Sequence, residues 1–209
     1  MMCLTMDGRA ASHSEQAEEL CAAGAGWIQL RMKGAPERAW LAEATAAAAA
    51  CRRHGAILIV NDSVEIARES GADGVHLGSL DPDWRGARAA LGPSSIIGGT
   101  VNNSDDARRA LESGCLDYVG VGPLRFTATK RGLSPVLGME GVRRLVAELG
   151  GLPAWVIGGV EPADLPGIRA AGAAGAAVSS YLFRGCRVAG NLRALLGAWA
   201  RSPDPVLIP

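Results

Sequence analysis

Short apolar runs alternate with segments of helical spacing eight times along the 209-residue chain, and this alternation restricts the fold more than any single motif. Strands are expected near 2–6, 27–32, 56–61, 74–77, 95–100, 118–121, 154–158 and 176–180. A run such as 56–60 (AILIV) is apolar throughout, as a strand buried on both faces must be, whereas 36–54 and 141–149 carry helical spacing and strong helix formers. Gly55, Gly71, Gly92 and Gly114 follow helical segments and suit C-caps. The repeat of about 25 residues gives the eight strand–helix units that a barrel of roughly 200 to 250 residues needs. A doubly wound open sheet usually has fewer strands and a GxGxxG opening turn, which is absent. The alanine run 46–50 lies within a helical segment and reads as close packing rather than a linker. The fold expected is therefore α/β, a single (β/α)8 TIM barrel over 1–201, with a Pro-rich tail at 202–209.

Charge removes several classes of function. Lys plus Arg and Asp plus Glu are equal at 21 each, and only 4% of residues are aromatic, so neither a basic field nor a stacking surface invites nucleic acid. No apolar run reaches membrane-spanning length, so no membrane partner is expected. Cysteines 3, 21, 51, 115 and 186 have no CxxC or Cys/His spacing, and the N-terminus has no charged and apolar leader, which together suggest reduced thiols and a cytoplasmic location. Assembly into a homo-oligomer is left open. Any anionic ligand has to be held by local groups.

In a parallel barrel the site is built from the carboxyl ends of the strands and the loops after them. Gln29, Arg31 and Lys33 end the second strand and, with period two, share one side of it. Such a row needs an anionic partner if it faces the interior, the competing reading being a surface ion-pair cluster. Asn61 and Asp62 end the third strand and Asp81 follows the fourth. Capping of the next helix and metal binding are equally open to the two carboxylates, but facing a cation row they suit Mg²⁺ on a polyphosphate. Thr100 ends the fifth strand. The loop after the sixth carries Thr127, Thr129 and Lys130, donors for an anion, and is flanked by Arg125, Phe126 and Arg131, which suit a lid. Gly159 ends the seventh strand and Ser179 and Ser180 end the eighth, and the loops after these two strands are the common phosphate site of such barrels. A diphosphate half and a monophosphate half imply two phosphorylated substrates, and hence a transferase.

The segments QLRMK (29–33), ND (61–62), GADGVHLGSLD (71–81), GGT (98–100), GVGPLRFTATK (120–130), IGGV (157–160) and AGAAGAAVSS (171–180) resemble, in order and spacing over nearly the whole chain, thiamine phosphate synthase and its relative, the thiazole tautomerase. The resemblance implies transfer of a 4-amino-2-methyl-5-pyrimidinylmethyl group from its diphosphate to a thiazole phosphate, giving thiamine phosphate and diphosphate. It implies that Gln29, Arg31, Lys33, Asn61 and Lys130 hold the diphosphate and that Asp62 and Asp81 hold Mg²⁺. Thr127, Thr129, Gly159, Ser179 and Ser180 would hold the thiazole phosphate, with Thr100 and Lys130 at the reacting centre. No protein nucleophile is needed, because the thiazole nitrogen attacks and the protein supplies position and electrostatics. Four positions depart from the family pattern: Met32 replaces the usual glutamate, Ser79 a common glutamine, Thr100 the usual serine and Asn102 a frequent histidine. The tautomerase would be expected to lack the carboxylates and the cation row, and a non-catalytic binder of a thiamine intermediate is the third reading. His76 is expected as a core residue hydrogen-bonded to its neighbours rather than as a proton carrier.

Overall fold

The computed structural model describes residues 1–78, 83–126 and 135–202. Among them eight strands alternate with eight α-helices: β1 (Met2–Leu4), α1 (His13–Ala22), β2 (Trp27–Leu30), α2 (Glu37–His54), β3 (Ile57–Asn61), α3 (Val64–Ser70), β4 (Gly74–Leu77), α4 (Trp84–Leu91), β5 (Ile96–Val101), α5 (Ser104–Ser113), β6 (Tyr118–Val121), α6 (Gly138–Glu148), β7 (Ala154–Ile157), α7 (Leu165–Ala170), β8 (Gly175–Val178) and α8 (Val188–Ala200). Neighbouring strands pair in parallel and in chain order, and β1 closes on β8. This is the expected (β/α)8 barrel. The end of the chain at 203–209 lies outside the described residues; Ser202 donates its hydroxyl to the Ala198 carbonyl at 2.8 Å. No described helix is long and apolar enough to cross a membrane.

All four expected glycine caps follow their helices, with Gly55, Gly71 and Gly114 left-handed and Gly92 at positive φ but extended ψ. Within the alanine run, Ala47, Ala48 and Ala50 are buried and pack closely, whereas Ala46 is exposed. Boundaries differ where polar residues take over from the sheet. β2 was expected to reach 32 but ends at Leu30, because the Arg31 N–H goes to the Thr5 side chain at 3.0 Å instead of to a β1 carbonyl. β1, β7 and β8 likewise end at Leu4, Ile157 and Val178. α6 begins at Gly138 rather than 141, just after the Leu137 and Gly138 N–H groups bond back to the Pro123 and Leu124 carbonyls.

One alternate set of strand residues packs outward against the helices, and the other fills the barrel. The inner set contains Trp27, Tyr118 and Trp155, whose rings meet edge to face with centroids 4.9 to 5.5 Å apart, packed with Met2, Leu4 and Ala177. An eight-stranded interior is only wide enough for its own side chains, so three large rings demand small neighbours. A Cβ on Gly98 would lie 2.2 Å from the Tyr118 ring, and one on Gly175 would lie 2.9 Å from the Trp155 indole nitrogen. The aromatic cluster sits at the amino-terminal part of β2, β6 and β7 and gives the barrel a solid floor.

Gly98→Ala is therefore expected to cost about 3 kcal/mol in urea unfolding, as overpacking against a ring that cannot retreat. Gly26→Ala, where an added Cβ meets nothing within 4 Å, should change stability by less than about 0.5 kcal/mol.

Candidate active site

Above this floor the carboxyl ends of the strands enclose a cavity. Arg31, Lys33, Asn61 and Asp62 line it from β2 and β3, while Gly158, Gly159, Ser179 and Ser180 line it from β7 and β8. His76 and Thr100 stand between them on β4 and β5. Nine of the residues expected from the sequence, Gln29 and Thr100 among them, thus line one cavity. Asp81, Thr127, Thr129 and Lys130 lie outside the described residues, as do Ser79 and Arg131.

The β2–β3 side is electrostatically compensated. The Lys33 ammonium contacts the Asp62 carboxylate directly, with the lysine half exposed and Asp62 largely covered. Asp62 has φ +70°, the one non-glycine residue at positive φ among those described. Its N–H continues the ladder to the His76 carbonyl at 2.8 Å, so the chain turns sharply only after the last sheet bond. Capping, one of the two readings of Asp62, does not apply: Ser63 caps α3 by accepting the Ile66 N–H at 3.2 Å. Asp83 similarly caps α4. A carboxylate held in an unfavourable backbone conformation at a cavity mouth, with no capping duty, is a candidate ligand group.

Gln29 sits deeper than Arg31 and Lys33 and is only 3% exposed. Its amide contacts the Met2 sulfur at 3.5 Å, so it lines the cavity at its base, beneath Arg31 and Lys33. Burial pushes the Tyr118 phenol well above its ordinary pKa and keeps it protonated. His76 Nδ1 lies 3.1 Å from the Tyr118 hydroxyl and Nε2 lies 3.0 Å from Thr100 Oγ1. The Tyr118 hydroxyl, the His76 ring and the Thr100 hydroxyl thus form one hydrogen-bonded chain that runs from the floor to the cavity. His76 is hydrogen-bonded to its neighbours, as the sequence suggested, but those neighbours form part of the site. Its interior position was readable from strand period, since His76 is in register with Asn61 and Gly98.

The β7–β8 side is shaped by backbone. Gly158 and Gly159 have φ +104° and +65°, and Cβ atoms there would lie 2.7 Å from Pro123 and 2.6 Å from the Arg125 side chain. Among the described residues the buried Ser179 hydroxyl has no hydrogen-bond partner, which marks it for a ligand. Arg125, which suited a lid in the sequence, is instead fixed. Its guanidinium grips the Asp164 carboxylate at 2.8 and 2.6 Å and the Gly159 carbonyl at 2.7 Å. The Leu124 and Arg125 N–H groups bond the Ile157 and Gly158 carbonyls. Phe126, by contrast, is 74% exposed. Asn102, one of the departures from the family pattern, donates to the Gly122 carbonyl and so ties the β5 and β6 loops. Met32 packs against the outer core.

A family model described as thiamine monophosphate synthase matches residues 2–182. The chain belongs to that family. The thiamine-phosphate synthase of Phocaeicola vulgatus is 41% identical over 177 residues, covering 83% of this chain and 85% of that protein. That of Bacteroides fragilis is 39% identical over 199 residues, covering 93% and 89%. Among solved structures, thiamine phosphate pyrophosphorylase from Pyrococcus furiosus superposes with a TM-score of 0.84 at 29% identity, over 95% of both chains. The activity is accordingly that of a thiamine-phosphate synthase, a transferase of thiamine biosynthesis.

Because the strain at Asp62 resides in the backbone, Asp62→Gly should stay within about 0.5 kcal/mol of the parent in thermal unfolding, while Asp62→Val should lose about 1 to 2 kcal/mol.

Proposed function

We propose that the β2–β3 side of the cavity holds the diphosphate of the pyrimidine substrate and the β7–β8 side holds the phosphate of the thiazole, with the reacting atoms over Thr100. The observation that carries this reading is the single cavity that joins a cation row to an orphaned serine hydroxyl. Arg31, Lys33 and Asn61 are placed to neutralise and orient the diphosphate, and Lys130 would join them. Gly159, Ser179 and Ser180, with Thr127 and Thr129, would hold the thiazole phosphate.

The donor chemistry fits Mg²⁺. Among the described residues no group of three or more potential ligands is gathered, as suits an ion that takes one or two carboxylates and fills its remaining positions with phosphate oxygens and water. Asp62 and Asp81 would hold it, and when bound it would offset the charge that builds on the departing diphosphate. The protein's own contribution is position. The carbon–oxygen bond to diphosphate breaks as the thiazole nitrogen bonds to the same carbon, and the pyrimidine amino group spreads the positive charge that develops. Thr100, hydrogen-bonded to His76, would turn its hydroxyl to the pyrimidine side of the cavity, where a fixed dipole costs no reorganisation. The cation row and Asp62 favour this transfer over the proton shift of a tautomerase or a purely binding role. Free thiols at Cys3, Cys21, Cys51 and Cys115 support the cytoplasmic location read from the sequence.

The test is formation of thiamine phosphate from the two substrates with and without Mg²⁺. Metal-dependent product that is lost in Asp62→Ala is expected, with Thr100→Ser equal to or faster than the parent and Thr100→Val at least about tenfold slower, the loss of one strong hydrogen bond. Folded protein without product in either condition would overturn the reading and make proton exchange on the thiazole the next assay. Equal rates for the Ser and Val variants would remove Thr100 from the reaction.

A further inference from the structure

Behind the cation row lies a cluster that the transfer reaction does not use. Thr5 and Asp7 belong to the connection between β1 and α1, and His13 is the first residue of α1. His13 Nδ1 is 2.7 Å from Thr5 Oγ1, and Nε2 is 3.1 Å from Asp7 Oδ1. Thr5 and His13 are 1% and 8% exposed. A hydroxyl, an imidazole and a carboxylate in line suggest a nucleophile, but the Thr5 oxygen is not one. It accepts the Arg31 N–H at 3.0 Å, and Thr5 does not line the cavity.

What the cluster grips is the backbone of the segment that carries the cations. The β2 ladder ends at Leu30. Beyond it the Arg31 N–H is bonded to Thr5 and the Lys33 N–H to Asp7 Oδ1 at 3.4 Å, so both side chains that receive these amides meet at His13. The ring joins the two side chains directly, Nδ1 to the Thr5 hydroxyl and Nε2 to the Asp7 carboxylate, while the Thr5 oxygen still accepts the Arg31 N–H. The ring is itself fixed. Ser12 caps α1 in a reciprocal box with Glu15, and the Ser14 N–H donates to Glu43 of α2 at 2.7 Å. A rigid spacer on a capped helix thus sets the distance between Thr5 and Asp7, and through them the course of residues 31–33.

We infer that His13 is a positioning residue for the anion subsite: it holds Thr5 and Asp7 so that Arg31 and Lys33 present their charges to an oligophosphate. The inference rests on the proposed role of the cation row. It predicts a one-sided defect, because the β7–β8 side of the same cavity shares no hydrogen bond with the cluster among the described residues.

The experiment measures both substrates on the full-length protein. In His13→Ala, KM for the pyrimidine diphosphate should rise about tenfold while KM for the thiazole phosphate stays within about twofold. His13→Asn and His13→Gln each keep one edge of the ring's hydrogen bonding and should recover part of the loss. Thr5→Val, nearly isosteric, removes the Arg31 acceptor directly and should show the same one-sided defect if the alanine variant folds poorly. Calorimetric titration of inorganic diphosphate with Mg²⁺ gives a readout independent of turnover. Binding by the parent that is about tenfold weaker in His13→Ala or Thr5→Val supports the inference. Equal binding by parent and variants, or a parallel rise in both KM values, overturns it and leaves the subsite reading intact. No binding by the parent overturns the subsite reading and the inference together.

Discussion

The interior of an eight-stranded barrel must be filled by its own side chains, and here three aromatic rings do most of that filling. Trp27, Tyr118 and Trp155 interlock edge to face, and the positions opposite them are held to glycine by contact distance. This packing fixes the height of the floor. Everything polar then stands on it: Tyr118 faces His76, and His76 faces Thr100. The same ring that supports the barrel therefore also begins the hydrogen-bond chain that ends at the cavity. Burial keeps the phenol at the base of that chain protonated.

The upper rim follows a different rule. Where the parallel ladder ends, backbone donors and acceptors need other partners. On the β2 side they find Thr5 and Asp7; on the β7 side the Gly158 and Gly159 carbonyls are taken by the Arg125 backbone and guanidinium. Side chains that replace the ladder fix the rim without closing it. Asp62 shows the cost, since a non-glycine residue is held at positive φ where a carboxylate is wanted at the mouth.

The strand and helix alternation made the barrel legible, because strands buried on both faces read as continuous apolar runs and helices end on glycines. Period two aligned Gln29, Arg31 and Lys33 on one side of their strand, and position at the strand ends put Asn61, Asp62 and Thr100 at the same end of that barrel. Strand ends were misjudged for a physical reason: Thr5 takes the Arg31 amide, a side-chain substitution for a sheet bond that no local pattern encodes. Gln29 shares the parity of Arg31 and Lys33 and lines the same cavity at its base. The roles of His13 and Arg125 were not legible, since each depends on residues far away in the chain: His13 acts through Thr5 and Asp7 on amides 26 residues further on, and Arg125 grips Asp164, 39 residues away. Among the described residues the Ser179 hydroxyl has no hydrogen-bond partner, and the loop threonines and Lys130 fall outside those residues.

The central claim is that one cavity separates two anions across the reacting centre. A crystal structure with thiamine phosphate, diphosphate and Mg²⁺ tests it most directly. The expected result places the phosphate of thiamine phosphate within hydrogen-bonding distance of Ser179 and Gly159, and the diphosphate beside Arg31, Lys33 and Asp62. Both anions on one side of the cavity, or a phosphate that leaves Ser179 without a partner, would contradict it.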